Sequence, residues 1–163
     1  HLDPVIMSLI LVHFETSRNP WLESVQSDYQ TKISAYHRFE IKKIKLKGLD
    51  LEREDLRQRV EFQKLKTYLT ADTHLVLLDE NGAMAKSSQD FAQTVNQWLN
   101  SGKKQVVLVV GGAFGFSQAL KSRAQKRISL SPLTMSHPVA QAVCLEQLYR
   151  AFCILNNHPY HHG

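Results

Sequence analysis

Residues 105–117, QVVLVVGGAFGFS, constrain the fold of this chain more than any other segment. Five consecutive apolar residues, 106–110, lead directly into Gly111 and Gly112. A short run that is apolar throughout is typical of a strand buried on both faces, as in a parallel sheet. Glycines after such a strand allow a tight turn and a close approach of the backbone to a ligand. We therefore expect a small-molecule site at the end of this strand.

The same glycines have two other interpretations. One is a tight strand-to-helix turn that binds nothing, since glycine-rich turns are common at such junctions. The other is a dinucleotide-binding loop, which the spacing GG-x-x-G disfavours because that loop uses G-x-G-x-x-G. In addition, residues 111–145 contain no acidic side chain that could hold a ribose. The glycines alone therefore leave the plain turn and the ligand site open.

The rest of the chain alternates between apolar runs and helical periodicity. Strands are predicted at residues 6–14, 39–47, 74–78, 105–110 and 128–130. Helices are predicted at residues 20–36, 51–69, 88–99, 117–126 and 138–156, with Asn19, Asp50, Ser87 or Ser88, and Ser117 as candidate N-caps. This order predicts an α/β fold with a parallel sheet and helices on both of its faces. Residues 1–163 are expected to form one domain, and residues 1–6, before Met7, to be foreign to the natural chain.

The charge balance is modestly basic, with 20 Lys and Arg against 15 Asp and Glu and a net charge of +5. This balance is compatible with a nucleic-acid partner without requiring one. Residues 39–47 alternate and predict an edge strand, bulged at Lys42–Lys43, whose basic outer face serves either solubility or nucleic-acid contact. No apolar stretch reaches the length of a membrane span, and the start lacks a signal-peptide pattern. We expect a soluble cytoplasmic protein that does not enter a membrane.

Polar and aromatic residues are concentrated at the end of the chain. Glu146 and Arg150 are four residues apart on one predicted helix face and can pair. A helix salt bridge followed by a frayed tail explains this composition without any function. A metal site made by His158, His161 and His162 is disfavoured, because it lacks a fourth ligand and a helical H-E-x-x-H arrangement. We therefore expect no metal.

Four segments of the chain, in order, resemble the RlmH-type enzymes of the SPOUT, or trefoil-knot, class of RNA methyltransferases. The resemblance runs over almost the whole chain from Met7 and is densest from Leu75 onward. The segments are LVLLDENG at residues 75–82, VVGGAFGFS at 109–117, ISLSPLTMSHPVAQAVCLEQLYRAF at 128–152 and NNHPYHHG at 156–163. The chain departs from the family pattern at Ala113–Phe114, after the two glycines, and at His162.

The resemblance implies a fold, an assembly and a cofactor site that periodicity does not reveal. It implies a deep C-terminal trefoil knot and a homodimer in which the active site lies near the dimer interface. It also implies that S-adenosylmethionine is bound in a bent form, mainly by the backbone of three loops. Those loops contain Leu78, then Gly111 and Gly112, and then Leu130, Ser131, Pro132, Leu133, Thr134 and Met135.

The reaction that the resemblance implies is methylation of N3 of a pseudouridine in 23S ribosomal RNA, in the free rRNA or the assembled ribosome. The imide N–H must lose its proton, so the site needs a base or a group that stabilises the anion. His137, Tyr160 and His161 are the candidates for this task, with Arg150 steadying a phosphate or the ring anion. Two alternatives stay open: a knotted methyltransferase that acts on tRNA, and a non-catalytic module that binds RNA or the ribosome.

Overall fold

The structure, a computed structural model, describes residues 7–48, 53–111 and 115–158. Its centre is a sheet of five strands in the order β2-β1-β4-β3-β5, and every neighbouring pair is parallel. The strands are β1 Ser8–Glu15, β2 Phe39–Lys45, β3 Thr73–Met84, β4 Gln105–Val110 and β5 Lys126–Ser129. The helices are α1 Pro20–Ser34, α2 Glu54–Leu65, α3 Ser88–Leu99, α4 Gln118–Arg123 and α5 His137–Leu155, with a 3-10 turn at Lys66–Tyr68. The predicted parallel α/β fold is confirmed.

Helices cover both faces of the sheet, as predicted. The side chains of β4 alternate between two apolar clusters, one on each face. Val106 and Leu108 pack in the cluster that contains α1, α3 and α5, whereas Val107 and Val109 pack in the cluster that contains α2 and α4. A strand that is buried on both faces needs apolar residues at every position, which explains the unbroken apolar run.

Three of the predicted N-caps form the expected side-chain hydrogen bonds. Asn19 Oδ1 accepts from Leu22 N at 3.1 Å, Ser87 Oγ from Asp90 N at 3.0 Å, and Ser117 Oγ from Leu120 N at 3.2 Å. These bonds satisfy amides that a helix leaves unpaired at its first turn. Asp50 lies outside the described residues, and α2 begins at Glu54.

The predicted end of β3 is wrong. The apolar run predicts a strand over residues 74–78, but β3 continues to Met84 after a register shift against β5 between Leu78 and Ala83. At Gly82 a Cβ would lie 2.6 Å from the carbonyl carbon of Arg127, so only glycine fits beside β5. This close approach depends on a strand more than forty residues away, which local sequence does not reveal.

Strand β2 is an edge strand, as predicted, but it has no bulge. Residues Leu9 to Glu15 pair one by one with Phe39 to Lys45 without a register shift. The knot that the resemblance implies is not tested by the strand order and stays a prediction. Among the described residues, no helix has both the length and the apolar character of a membrane span.

Candidate functional site

A cavity of about 980 Å³ lies at the carboxyl edge of the sheet. Residues from the carboxyl ends of four strands line it, because the carboxyl ends of parallel strands meet at one edge of the sheet. Its walls are formed by residues 13–19 at and after the end of β1, residues 78–81 of β3, Val110 at the end of β4 with Gly111 after it, and residues 129–138 up to the start of α5, apart from Pro132. Glu54, Arg57 and Gln58 of α2 close one side.

Most of the predicted cofactor residues line this cavity. The members that do so are Leu78, Gly111, Leu130, Ser131, Leu133, Thr134 and Met135. Pro132 belongs to the same loop but does not line the cavity, and Gly112 lies outside the described residues. The three loops named from sequence therefore converge on one space, although they come from separate parts of the chain.

Gly111 is held between two side chains at the end of β4. A Cβ at this position would lie 2.8 Å from Cζ of Phe116, so the ring occupies the space that a side chain would need. On the other side, Nδ1 of His137 lies 2.9 Å from the carbonyl oxygen of Gly111. The backbone that leaves the strand is thus fixed both by packing and by a hydrogen bond.

The loop between β5 and α5 is shaped by its own hydroxyl groups. Ser129 Oγ donates to the carbonyl of Ser131 at 2.9 Å, and Ser131 Oγ accepts from Leu133 N at 3.0 Å. Such short-range bonds hold a loop in a turn without secondary structure. Thr134 Oγ1 donates to Glu80 Oε2 at 3.4 Å, which joins this loop to the end of β3.

A polar chain that the sequence did not predict lies beside Gly111. His137 Nε2 is 3.4 Å from Gln141 Nε2, and Gln26 Nε2 donates to Gln141 Oε1. Gln26 Nε2 also lies 2.9 Å from Nε2 of His13, whose ring stacks on His137 with the centroids 6.1 Å apart. His13 and Gln141 are buried. Only His13, a polar residue near the end of the apolar strand β1, has a signal in the sequence.

The two histidines of this hydrogen-bond chain, His13 and His137, both favour the neutral state. Burial lowers the pKa of His13 to about 4, with smaller contributions from His137 and Lys43. Burial also lowers the pKa of His137, and Arg57 adds to this, while the hydrogen bond to Gly111 opposes it. Near neutral pH the two rings are therefore uncharged, and each carries one N–H.

The carboxyl-terminal part of α5 carries a charged and aromatic cluster. Arg150 Nε donates to Glu146 Oε1 at 2.7 Å, which confirms the predicted pair, and Tyr29 of α1 donates its hydroxyl to the other oxygen. Lys32 Nζ lies 5.1 Å from the ring centroid of Tyr29 and 5.7 Å from that of Tyr149. These residues are half-exposed, so charge and aromatic surface are offered together to a partner.

The structure does not bring all the predicted catalytic residues together. Arg150 follows His137 by 13 positions in one continuous helix, which separates them by about 20 Å along its axis. His158, the last described residue, packs its ring against Tyr36 near the end of α1. Tyr160 and His161 lie outside the described residues. Among the residues that are described, no three His, Cys, Asp or Glu side chains form a group that could hold a metal.

Comparison with known sequences identifies relatives over almost the whole chain. Residues 7–161 match the family model described as "Predicted SPOUT methyltransferase". A protein of Bdellovibrio bacteriovorus named ribosomal RNA large subunit methyltransferase H is 37% identical over 155 residues, which are 95% of this chain and 99% of the relative. A protein of the same name from Pelobacter propionicus is 38% identical over 157 residues, covering 96% of this chain and 100% of the relative.

Comparison with solved structures supports the fold alone. A protein from Haemophilus influenzae, described as a probable methylase family protein, superposes with a TM-score of 0.51 at 14% identity. The superposition covers 95% of this chain and 70% of the other.

Proposed function

Because the chain belongs to the SPOUT methyltransferase family, we propose that it transfers a methyl group from S-adenosylmethionine to large-subunit ribosomal RNA. The target atom that we propose is N3 of a pseudouridine in 23S rRNA. The observation that carries the proposal is the convergence of three separate segments, residues 78–81 of β3, Gly111 after β4 and the loop before α5, on one cavity at the carboxyl edge of the sheet. A ribosomal substrate also implies that the enzyme works in the cytoplasm, with residues 1–163 acting as one domain.

The residues at the cavity fit the methyl donor. When bound, S-adenosylmethionine supplies a methyl group on a positively charged sulfonium. The cavity wall carries acidic side chains, Glu15, Asp79 and Glu80, together with basic ones, Arg18, Arg57 and Lys121, which suits a ligand that carries both charges. Gly111 lets the backbone approach that ligand closely, and the loop from Leu130 to Met135 offers further backbone groups.

Side chains of the protein itself hold the cofactor loop, accept the proton of the target base and stabilise the resulting anion. Both ring nitrogens of His137 already have partners, Gly111 and Gln141, so we assign His137 to holding the cofactor loop. The proton of the target imide then goes to Tyr160 or His161 of the tail. Arg150, oriented by Glu146, steadies the ring anion or a phosphate of the RNA.

A homodimer is part of the proposal, since one protomer keeps these groups apart. Tyr160 is two residues beyond His158, a span of at most about 7 Å, whereas the start of α5 is more than 25 Å away along the helix. We infer that the tail of one protomer serves the cavity of its partner. Leu133 and Val139 support an interface here, because these apolar side chains are 73% and 43% exposed beside the cavity.

The activity is tested by offering ribosomes, free rRNA and tRNA to the protein with S-adenosylmethionine labelled in its methyl group. Label on a pseudouridine of 23S rRNA, located by mass spectrometry, is the expected result. Label on tRNA only would replace the proposed substrate. Absence of cofactor binding in calorimetry would indicate a non-catalytic module that binds RNA or the ribosome.

The shared site is tested by mixing two inactive variants. Gly112→Val is expected to abolish cofactor binding in a folded dimer, because a side chain there blocks the approach to the strand end. Deletion of residues 160–163 removes the tail. After exchange at equal amounts, half of the dimers are mixed, and each has one site with an intact cavity and an intact tail. Activity should return to roughly a quarter of the wild-type value if sites are shared. No recovery, or a monomer in sedimentation at all concentrations, would contradict the shared site.

A further inference from the structure

The hydrogen bonds of the polar chain beside Gly111 have a fixed order of donors and acceptors. The bond between His137 and the carbonyl of Gly111 determines that order. A backbone carbonyl only accepts hydrogen bonds, so the 2.9 Å contact requires His137 to carry its proton on Nδ1. In the neutral ring Nε2 is then an acceptor, and it faces the amide nitrogen of Gln141 at 3.4 Å. The tautomer of His137 and the orientation of the Gln141 amide are therefore mutually consistent.

The same logic continues through the next two residues. The Gln141 oxygen accepts from Gln26 Nε2, and the second proton of that amide points to Nε2 of His13 at 2.9 Å. His13 Nε2 is then the acceptor, so His13 also carries its proton on Nδ1, a buried atom that has no hydrogen-bond partner among the described residues. Reversing either amide would place two donors or two acceptors face to face unless a ring became charged, which burial opposes in both rings.

We propose that Gln141 and Gln26 are positioning residues for cofactor binding, which act by holding His137 as the Nδ1–H tautomer on the carbonyl of Gly111. The bond orients the peptide unit that leaves β4, at the point where Phe116 packs against the other side of Gly111. Gln141 is fully buried and does not itself line the cavity, whereas His137, which its amide contacts, does, so the effect of Gln141 on a ligand passes through His137. This inference rests on the proposed role of Gly111 in the cofactor site.

The tautomers are measured first, on the wild-type protein with ¹⁵N-labelled histidine. Long-range proton–nitrogen correlations should show His137 and His13 both neutral at pH 7, each with its proton on Nδ1. A proton on Nε2 of His137, or a charged His137 ring, overturns the proposal. This measurement needs no variant and no cofactor, so it stands even if the methyltransferase assignment fails.

The effect on binding is measured with Gln141→Met, which keeps the length of the side chain and removes both hydrogen bonds. Calorimetry should show roughly 10-fold weaker S-adenosylmethionine binding, and KM for the cofactor should rise equally while kcat changes less than about twofold. Gln147→Met is the matched control on the same helix, since it loses only a 2.8 Å bond from Ser88 and should bind like the wild type. Equal affinity of the two variants overturns the proposal. A wild-type protein that binds no S-adenosylmethionine would instead contradict the proposed function.

The conservative variant Gln141→Glu separates positioning from packing. Its carboxylate can accept from Gln26 and from a proton on His137 Nε2, so His137 becomes doubly protonated and keeps its bond to Gly111. The expected results are a cofactor affinity within about threefold of the wild type and a His137 ring with two protons. If Gln141→Glu binds as weakly as Gln141→Met although His137 is doubly protonated, the side chain acts through packing and the proposal is wrong. If Gln141→Met does not fold, Gln26→Met replaces it in the same comparison, because it removes the hydrogen bond that orients the Gln141 amide.

Discussion

The two ends of α5 carry different chemistry on one continuous helix. At its start, His137 and Gln141 are tucked against the sheet in a neutral hydrogen-bond chain beside the cavity. Near its end, Glu146 and Arg150 form a half-exposed ion pair among tyrosines and lysine. About 20 Å of helix separates His137 from Arg150.

The difference teaches how the proposed reaction divides its work. A neutral, buried hydrogen-bond chain can fix the backbone at the edge of a ligand site, because none of its own groups carries a charge that burial would penalise. A charged and aromatic surface suits RNA, whose phosphates attract cations and whose bases stack on aromatic rings. Since α5 keeps these regions apart within a protomer, the proposed homodimer is what would bring them together.

Deleting residues 160–163 should have the largest effect. Methylation of ribosomes is expected to fall on the order of 100-fold or more, because a general base is lost. Cofactor affinity, measured by calorimetry on the same protein, should stay unchanged because the loops at the start of α5 form that pocket. Methylation that survives within a few-fold would make the tail dispensable and return His137 to consideration as the base.

A fall in pH should destabilise the fold through His13, which belongs to the neutral hydrogen-bond chain at the start of α5. His13 has a pKa of about 4 in the fold and near 6.5 when unfolded, so only the unfolded chain takes up its proton between these values. Its contribution to stability is therefore complete above about pH 6.5 and is lost as the pH falls towards 4. His13→Gln, which cannot titrate, should lose about 2 kcal/mol less than the wild type between pH 7 and 4.5 in urea unfolding.

The quantity to compare in that experiment is the difference in unfolding free energy between the wild type and His13→Gln at each pH. Burial raises the pKa of Glu61 to about 7, which gives the opposite pH dependence in an overlapping range. Glu61 is present in both proteins, so its contribution cancels. Parallel pH profiles for wild type and His13→Gln would show that His13 titrates normally.

Gly111→Ala should weaken cofactor binding roughly 10-fold or more. The added methyl group lies 2.8 Å from Cζ of Phe116, so either the ring or the strand end must move. The double variant Gly111→Ala with Phe116→Leu should recover most of the affinity in calorimetry, because the smaller side chain leaves room. Without such recovery, the weakening would have a cause other than this contact.

The basic edge strand should matter least. Lys42 is half-exposed, and its Nζ lies 3.7 Å from Glu40 Oε2. A surface ion pair of this kind is typical of a residue that serves solubility. Lys42→Gln is expected to change ribosome binding less than about twofold and to leave its salt dependence unaltered. A salt slope lower by about one unit would instead indicate a phosphate contact at this strand and extend the RNA surface beyond α5.

Sequence reasoning predicted the fold well because its signals are local. An apolar run followed by glycine indicates a buried strand with a turn, and Asn19, Ser87 and Ser117 each cap a helix within three residues. It failed at Gly82, where the constraint is the backbone of β5, and at the absent bulge of β2. Both errors concern pairing partners that are distant in sequence.

The sequence by itself determined the parallel sheet, the positions of its helices, the pairing of Glu146 with Arg150, and the loops that line the cavity. Only the tertiary structure decided that His13 and Gln26 meet His137 and Gln141, which lie more than a hundred positions away. Hydrogen bonds between distant side chains leave no periodic pattern in the sequence. Tertiary structure also decided that His137 and Arg150 stand apart, because a helix turns sequence separation into a fixed distance.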